Sequence, residues 1–214
     1  WEALLLAIFI FASGMFLGYL LEKNRTANIL ALYQQSELDI MDINIQREIL
    51  ALDKIDCPKA YEESIKFANR LYDEAVLLAR YDSSNKICRD IEIQHKKYDL
   101  LRAILWTNLI TIKEKCKTHP INLVYFYEYN SQDIDKKAEQ EVFSKKLLEV
   151  KTKYQDNVIL IPIAGNLDIN SINYLKSQYN ITHLPAILIN ESYKIESLVE
   201  LTNLEHYLPK MIIL

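Results

Sequence analysis

Residues 179–189 read Tyr179-Asn180-Ile181-Thr182-His183-Leu184-Pro185-Ala186-Ile187-Leu188-Ile189: a polar turn, a proline, then a short apolar run. Ala186 to Ile189 is expected to be a strand, and the chain on either side gives it its place. Upstream, Ile121 to Tyr127 (INLVYFY) and Asn157 to Ile163 (NVILIPI) are nearly continuous apolar runs, the pattern of strands covered on both faces. Pro162 should lie near the end of its strand, because proline cannot donate to a central ladder. Polar helix-forming sequence separates the strands, from about Asp133 to Tyr154 and from about Asp168 to Tyr179. Downstream, a turn at Asn190-Glu191-Ser192 leads into Lys194 to Val199 and a last helix from about Asn203. The order is βαβαββα, an α/β arrangement that a right-handed parallel crossover closed by an antiparallel hairpin satisfies.

That order, with the Tyr179 to Ile189 stretch, resembles the C-terminal half of the thioredoxin fold. The resemblance covers roughly His95 or Thr118 to Leu214, counting the end of the preceding helix as the fold's first helix. In that family a similar stretch places a cis-proline at the start of the third strand, beside the active site, and Pro185 occupies the matching position. Thioredoxins also carry a Cys-x-x-Cys pair just after the first central strand, where a helix N-terminus lowers the nucleophile's pKa. Here Ser131 stands at the first cysteine position and Ile134 at the second, so thiol–disulfide exchange at the usual site is not expected. What the resemblance leaves is a peptide groove beside Pro185, lined by Tyr127, Tyr129, Asn130, Ser131, His183 and Leu184.

Composition agrees with long helices and few strands. Gly 3 and Pro 5 make 8 of 214 residues, about 4% against an average near 12%. Lys+Arg 25 against Asp+Glu 29 gives a net charge of −4, which excludes a strongly basic nucleic-acid binder.

Ala3 to Leu21 carries no charged side chain; as a helix it is about 28 Å long, enough to cross a hydrocarbon core of roughly 30 Å. A transmembrane anchor is therefore expected over 1–22, in preference to a signal peptide, whose apolar region is shorter. The chain begins with Trp1, so upstream residues, including the charged flank that sets orientation, are expected to precede it. Gly14 and Gly18 form a small-xxx-small pair on one helix face, a candidate dimer face.

Residues 23–117 read as a helical stalk, with 16 basic and 16 acidic residues between Glu22 and Lys117. Leu38, Met41, Ile45, Ile49, Leu52 and Ile55 recur at helical spacing and predict one amphipathic helix over about Asn28 to Ile55. Asp56-Cys57-Pro58 is a break followed by a helix start. A second helix with Tyr61, Ile65, Ala68, Leu71, Tyr72, Ala75 and Leu78 runs to about Tyr81, and Asp82-Ser83-Ser84-Asn85 is a polar turn. A third spans about Lys86 to Lys117, with Tyr98, Leu101, Leu105, Leu109, Ile112 and Cys116 on one stripe. The expected arrangement is an antiparallel hairpin with the first helix packed along it. The domain expected from 118 to 214 is the thioredoxin-like one.

In that hairpin Cys57 is about level with residue 109, about 10 Å along the axis from Cys116, a gap that the Pro58 loop can take up. Cys57 with Cys116 is the better disulfide candidate; Cys88 lies at the far end and is expected to be a free packed thiol. Cys116-Lys117-Thr118-His119 has C-x-x-H spacing but no second ligand pair, so no metal is expected. His95, His183 and His206 read as surface residues. Only Gly165 lies outside the apolar N-terminus, so no phosphate-binding glycine loop is present and no cofactor is expected. Of the sequons Asn24-Arg25-Thr26, Asn180-Ile181-Thr182 and Asn190-Glu191-Ser192, the last lies in a predicted hairpin turn and is the glycosylation candidate, with Asn180 close to the core.

The resulting expectation is a single-pass membrane protein whose C-terminal domain faces out of the cytoplasm and acts as a protein- or peptide-binding or scaffold module without a redox dithiol. Two rival readings are a thiol–disulfide oxidoreductase using Cys57 and Cys116, and a structural membrane homo-oligomer assembled through Gly14, Gly18 and the stalk. Besides the lipid bilayer, the expected partner is a protein or peptide, not nucleic acid.

Overall fold

The computed structural model describes residues 1–51, 55–82, 88–116 and 120–212, without the side chains of residues 22, 24–37, 39, 76–82, 88–91 and 209–212. The chain forms two compact units, 1–42 and 43–214. The first is entirely helical and belongs to α1 (Glu2–Ala51). Its Glu2–Leu21 stretch, with mean hydropathy 2.4, is long and apolar enough to cross a membrane. Its large apolar side chains, from Leu4 to Leu21, stand exposed.

The second unit holds the end of α1, then α2 (Cys57–Asp82), α3 (Cys88–Lys115), β1 (Ile121–Tyr127), α4 (Ile134–Tyr154), a 3-10 turn (Gln155–Asn157), β2 (Val158–Ala164), α5 (Asn170–Gln178), β3 (Ala186–Ile189), β4 (Tyr193–Ile195), α6 (Leu198–Leu201) and α7 (Leu204–Ile212). The sheet order is β2-β1-β3-β4. β1 runs parallel to β2, with Ile121 opposite Val158 and Tyr127 opposite Ala164. It runs antiparallel to β3, with Phe126 opposite Ala186, and β3 pairs antiparallel with β4.

β1 reads as an unbroken apolar run because both of its faces are covered. Ile121, Leu123 and Tyr125 join one core with Phe143, Leu147 and Val150 of α4, Leu201 of α6, and Leu204 and Leu208 of α7. On the alternate face Phe126 meets Trp106 of α3, ring centroids 6.0 Å apart and nearly perpendicular, and Tyr179 closes on the same indole at 5.2 Å. α3 is buried around most of its circumference: the expected stripe Tyr98, Leu101, Leu105, Leu109, Ile112 and Cys116 is inside, and so are Asp99, Arg102, Trp106 and Asn108. It is therefore the helix that covers the sheet's second face, with α2 packed against both it and β2.

Pro162 is the first departure from expectation. It sits inside β2, opposite Tyr125, rather than at the strand's end. The reason is that β2 is an edge strand, and its outward positions need no partner. Val158, Leu160, Pro162 and Ala164 share that outward parity. The Val158 carbonyl accepts from Lys151 Nζ at 2.9 Å, the Ala164 amide faces the Asp99 carboxyl, and Pro162 has no N–H to leave open. The edge is thereby blunted against pairing with another chain.

The face that α1 buries is the second. Leu38, Met41, Ile45 and Ile49 are exposed, while Ile43 and Leu50, one heptad apart, are buried. Leu50 packs with Ile112 and Cys116 beside Ile55, Cys57, Ala60 and Tyr61, and Lys115 Nζ donates to the Leu50 carbonyl at 2.6 Å. The helix carries two apolar stripes, and the contact with α3 selects the one not expected. α1 ends at Ala51; Leu52 and the 83–85 turn lie outside the described residues. Among the described side chains of α2 the buried ones are Ser64, Phe67 and Leu71, with Tyr72 exposed. Asp56 caps its first turn, its carboxylate accepting from the Lys59 amide at 3.2 Å.

The third departure follows β4, which stops at Ile195 instead of continuing to Val199. Ser197 caps α6 through its hydroxyl, which accepts from the Glu200 amide, so Leu198–Leu201 turns helical before α7 begins. The β3–β4 turn has left-handed φ at both Asn190 (47°) and Glu191 (60°), with the Ser192 amide bonded to the Ile189 carbonyl, a type I′ geometry suited to a hairpin. A glutamate in that region costs about 1–2 kcal/mol. Its carboxylate is offset by three donors: Trp106 Nε1 at 2.8 Å, Lys113 Nζ at 3.1 Å and Asn122 Nδ2 at 3.3 Å.

Candidate functional site

The C-terminal ends of the parallel strands β1 and β2 and the head of β3 meet at one end of the sheet. Beyond Tyr127 the chain turns through Glu128-Tyr129-Asn130-Ser131, with Asn130 in the left-handed region at φ 52°. Asp133 then caps α4, its carboxylate accepting from the amides of Asp135 and Lys136. This boundary is where the polar run began in the sequence. Gln140 fixes the turn from the helix side, its side chain accepting from the Glu128 amide and donating to the Glu128 carbonyl. Glu128 pairs with Lys136, which holds its carboxyl below the usual range and raises the lysine.

Three of the seven groove candidates are knit together by residues the sequence did not single out. The Gly165 amide donates to the Tyr127 carbonyl at 2.8 Å. Asn166 and Tyr129 exchange two hydrogen bonds, at 2.8 and 2.9 Å. A Cβ added at Gly165 would stand 3.0 Å from both terminal carbons of Leu184, so any larger residue there would make that side chain shift from its place over the β2 end. Pro185, buried and joined to Leu184 by a cis peptide bond, directly precedes Ala186 and so faces the Tyr127 end of β1. Asn130 and His183 are exposed beside these residues, whereas Ser131 is buried, its hydroxyl accepting from the Asp133 amide at 3.3 Å. Ser131 thus serves the turn.

His95 is not a surface residue: it is partly buried and its ring lies 4.2 Å from that of Tyr129. Below them Asp99 and Arg102 form a buried ion pair at 3.1 Å on α3. Burial pushes the Asp99 carboxyl up to about 6 against the opposing pull of Arg102. Burial also raises Tyr127, with the Asp99 charge adding to it and the Arg102 guanidinium working against it. No sequence signal marked His95, Asp99, Arg102 or Asn166, because their neighbours come from distant parts of the chain. What this end of the sheet offers is aromatic surface and fixed backbone groups; among the described residues no cysteine side chain lies within it.

Cys57 and Cys116 are joined by a disulfide closing a sequence separation of 59, with Cα atoms 5.9 Å apart. Cys116 is buried and Cys57 partly so, within the Leu50 and Ile112 cluster. Cys116 is therefore not half of a zinc pair; residues 117–119 and the Cys88 side chain lie outside the described residues. Among the described residues no group of three or more His, Cys, Asp or Glu side chains could hold a metal. Beside the bridge, a cavity of about 440 Å³ is lined by Leu50, Ile55, Ala60, Ser64, Asn108 and Ile112, among others. Asn108 is 2% exposed and neither atom of its side-chain amide has a hydrogen-bond partner.

Asn190 does not present its side chain to solvent as its turn position implied. It is 6% exposed, and its side-chain oxygen accepts from the Asn122 amide at 2.9 Å. Gly14 and Gly18 have open space around them, with nothing within 4 Å of an added Cβ.

No family model matches the chain, and no curated protein matches it. Two solved structures resemble it. One, described as a malarial protein, is 14% identical, covers 44% of this chain and 99% of its own, and superposes with a TM-score of 0.34. The other is thioredoxin O2 from Arabidopsis thaliana in the oxidised state, 13% identical, covering 44% of this chain and 76% of its own, with a TM-score of 0.32. At this distance the likeness amounts to a weak thioredoxin-like neighbour.

Proposed function

We propose that this is a membrane-anchored thioredoxin-like protein whose C-terminal domain, outside the cytoplasm, binds an extended peptide or protein segment and carries out no thiol exchange there. Residues 1–22 serve as the anchor, and the binding domain is 118–214 together with α3, which covers the second face of its sheet. The observation that carries the reading is the convergence of Tyr127, Tyr129, Leu184 and Pro185 at the C-terminal ends of the parallel strand pair, with buried Ser131 where a redox relative has its nucleophile. In open α/β sheets ligands collect at that end. Tyr129, Asn130, His183 and Leu184 contact the bound chain, and the Cys57–Cys116 bridge, packed in an apolar cluster, acts as a structural clamp suited to an oxidising compartment.

The test is hydrogen exchange on the full-length protein in nanodiscs with a panel of unstructured peptides. Protection is expected over 127–131 and 183–187, weakened about tenfold or more by Tyr129→Ala. Turnover of a disulfide substrate that depends on Ser131 or Pro185 would overturn the reading, as would a panel that leaves both segments unprotected.

The open faces at Gly14 and Gly18 support a second, compatible role in self-association. Gly14→Ile with Gly18→Ile should then abolish the oligomer; an oligomer that persists unchanged ends that idea.

A further inference from the structure

Three sequons occur in the chain, and the fold separates the two whose surroundings it describes. Asn190 is tied on both sides: its side-chain oxygen accepts from the Asn122 amide at 2.9 Å, and its own amide donates to the Asn122 carbonyl at 3.0 Å. A saccharide on its side-chain nitrogen would have to leave a buried position and break the link between the β3–β4 turn and β1. Asn180 is the opposite case. It is exposed, in a left-handed turn at φ 53° just after α5, and its backbone is pinned while its side chain is not. The Asn180 amide donates to Ser177, its carbonyl accepts from Lys194 Nζ at 2.8 Å, and the next amide, that of Ile181, donates to Lys176 at 2.8 Å. Ile181 points into the core and Thr182 is exposed. The two residues that an oligosaccharide-transferring enzyme must reach, the asparagine amide and the hydroxyl two positions on, thus both stand in solvent.

We infer that Asn180 is the N-glycosylation site of this protein, an inference that rests on the extracytoplasmic placement proposed above. The co-reactant is a lipid-phosphate-linked oligosaccharide. The Asn180 side-chain nitrogen forms the bond to the anomeric carbon, the bond from that carbon to the lipid-phosphate oxygen breaks, and one amide proton is lost as the lipid phosphate leaves. The product stands beside the short edge strand β4, to which Lys194 connects the turn. A bulky solvated group there hinders addition of a foreign strand.

The test is translation of the full-length chain into endoplasmic reticulum microsomes, with glycosidase-sensitive mobility as the readout. Wild type, Asn24→Gln and Asn190→Gln should each carry one glycan, and Asn180→Gln none. A control sequon on the exposed face of α4, made by Lys137→Asn with Glu139→Thr in the Asn180→Gln background, reports the side of the membrane independently. If the control is modified and wild-type Asn180 is not, the site inference fails while the placement stands. If neither is modified, the placement fails and takes this inference with it. A glycan that persists in Asn180→Gln assigns the site elsewhere and overturns the inference.

Discussion

Replacing Cys57 by Ser and Cys116 by Ala removes a covalent link whose contribution can be worked out from where it closes the chain. The sequence separation is 59. A loop of that size gives −2.1 − 1.5R ln 59, about −14 cal/mol/K of denatured-state entropy, or about 4 kcal/mol at 25 °C. The residues around the bridge need not move, since Leu50, Ile112 and Ile55 still surround a small side chain at position 116. The unfolding of the second unit can be followed by fluorescence, because its single tryptophan, Trp106, is fully buried between Phe126 and Tyr179, whereas Trp1 is fully exposed. In urea, with the full chain held in detergent, a slope of about 2 kcal/mol/M converts the loss into a midpoint lower by about 2 M at unchanged slope. Thiol alkylation before and after reduction, with mapping of Cys57, Cys88 and Cys116, checks that the parent protein carries the bridge. A loss under about 1 kcal/mol in a protein shown to be bridged would refute the reasoning, since it would mean that residues 57–116 are already restrained in the denatured chain.

Other outcomes follow from buried polar groups. Asn108→Leu should raise the unfolding free energy by about 1–3 kcal/mol, because the asparagine amide is buried without a partner beside Leu50, Ile55 and Ile112, in a cavity whose other lining includes Gln46, Lys59 and Glu63; a loss of stability would mean that the amide holds something in place there. Trp106→Phe should cost about 1–3 kcal/mol through lost packing and the lost bond to Glu191, whose carboxylate keeps Lys113; an unchanged melting temperature would show that the indole is not a keystone between α3 and the hairpin turn. Asp99, with its carboxyl up at about 6 against an ordinary 3.8, keeps its proton in the fold where the unfolded chain has lost it. Its contribution is therefore present below pH 3.8 and lost as pH rises to about 6, and Asp99→Asn should flatten that limb. Glu205 works in the opposite sense. Lys146 and Lys153 hold its carboxyl down at about 2, so its contribution is present above about 4.5 and lost as pH falls towards 2. Glu205→Gln should remove the acid limb and leave the Asp99 limb intact, and equal pH profiles for the two variants would contradict both assignments.

Elements whose character is written locally could be read from the sequence. β1 is a continuous apolar run, α4 starts at its aspartate cap, and β3 follows Pro185. Where the outcome depended on a partner far along the chain, the reading failed. Nothing in the α1 pattern says whether Ile45 and Ile49 or Ile43 and Leu50 face inwards, because Ile112 and Cys116 make that choice. Pro162 was legible as a proline in a strand but not as one on an edge, since strand order is a property of the assembled sheet. The candidate site divides in the same way. The Tyr127 to Ser131 turn and the Leu184-Pro185 pair were visible as residues, but Ser131 is committed to the turn, and the groups that hold Tyr129, Asn166 and His95, arrive from elsewhere.

The bridge from Trp106 and Lys113 to Glu191 bears on how the protein is made. The indole and the carboxylate it meets are 85 positions apart in the chain. At a synthesis rate of about 5–20 residues per second, roughly 4–17 s pass between their emergence. During that interval α3 exists with the apolar side meant for the sheet uncovered, while Cys57 and Cys116 are both already available to close. The disulfide can therefore hold the helices together before there is a sheet to cover.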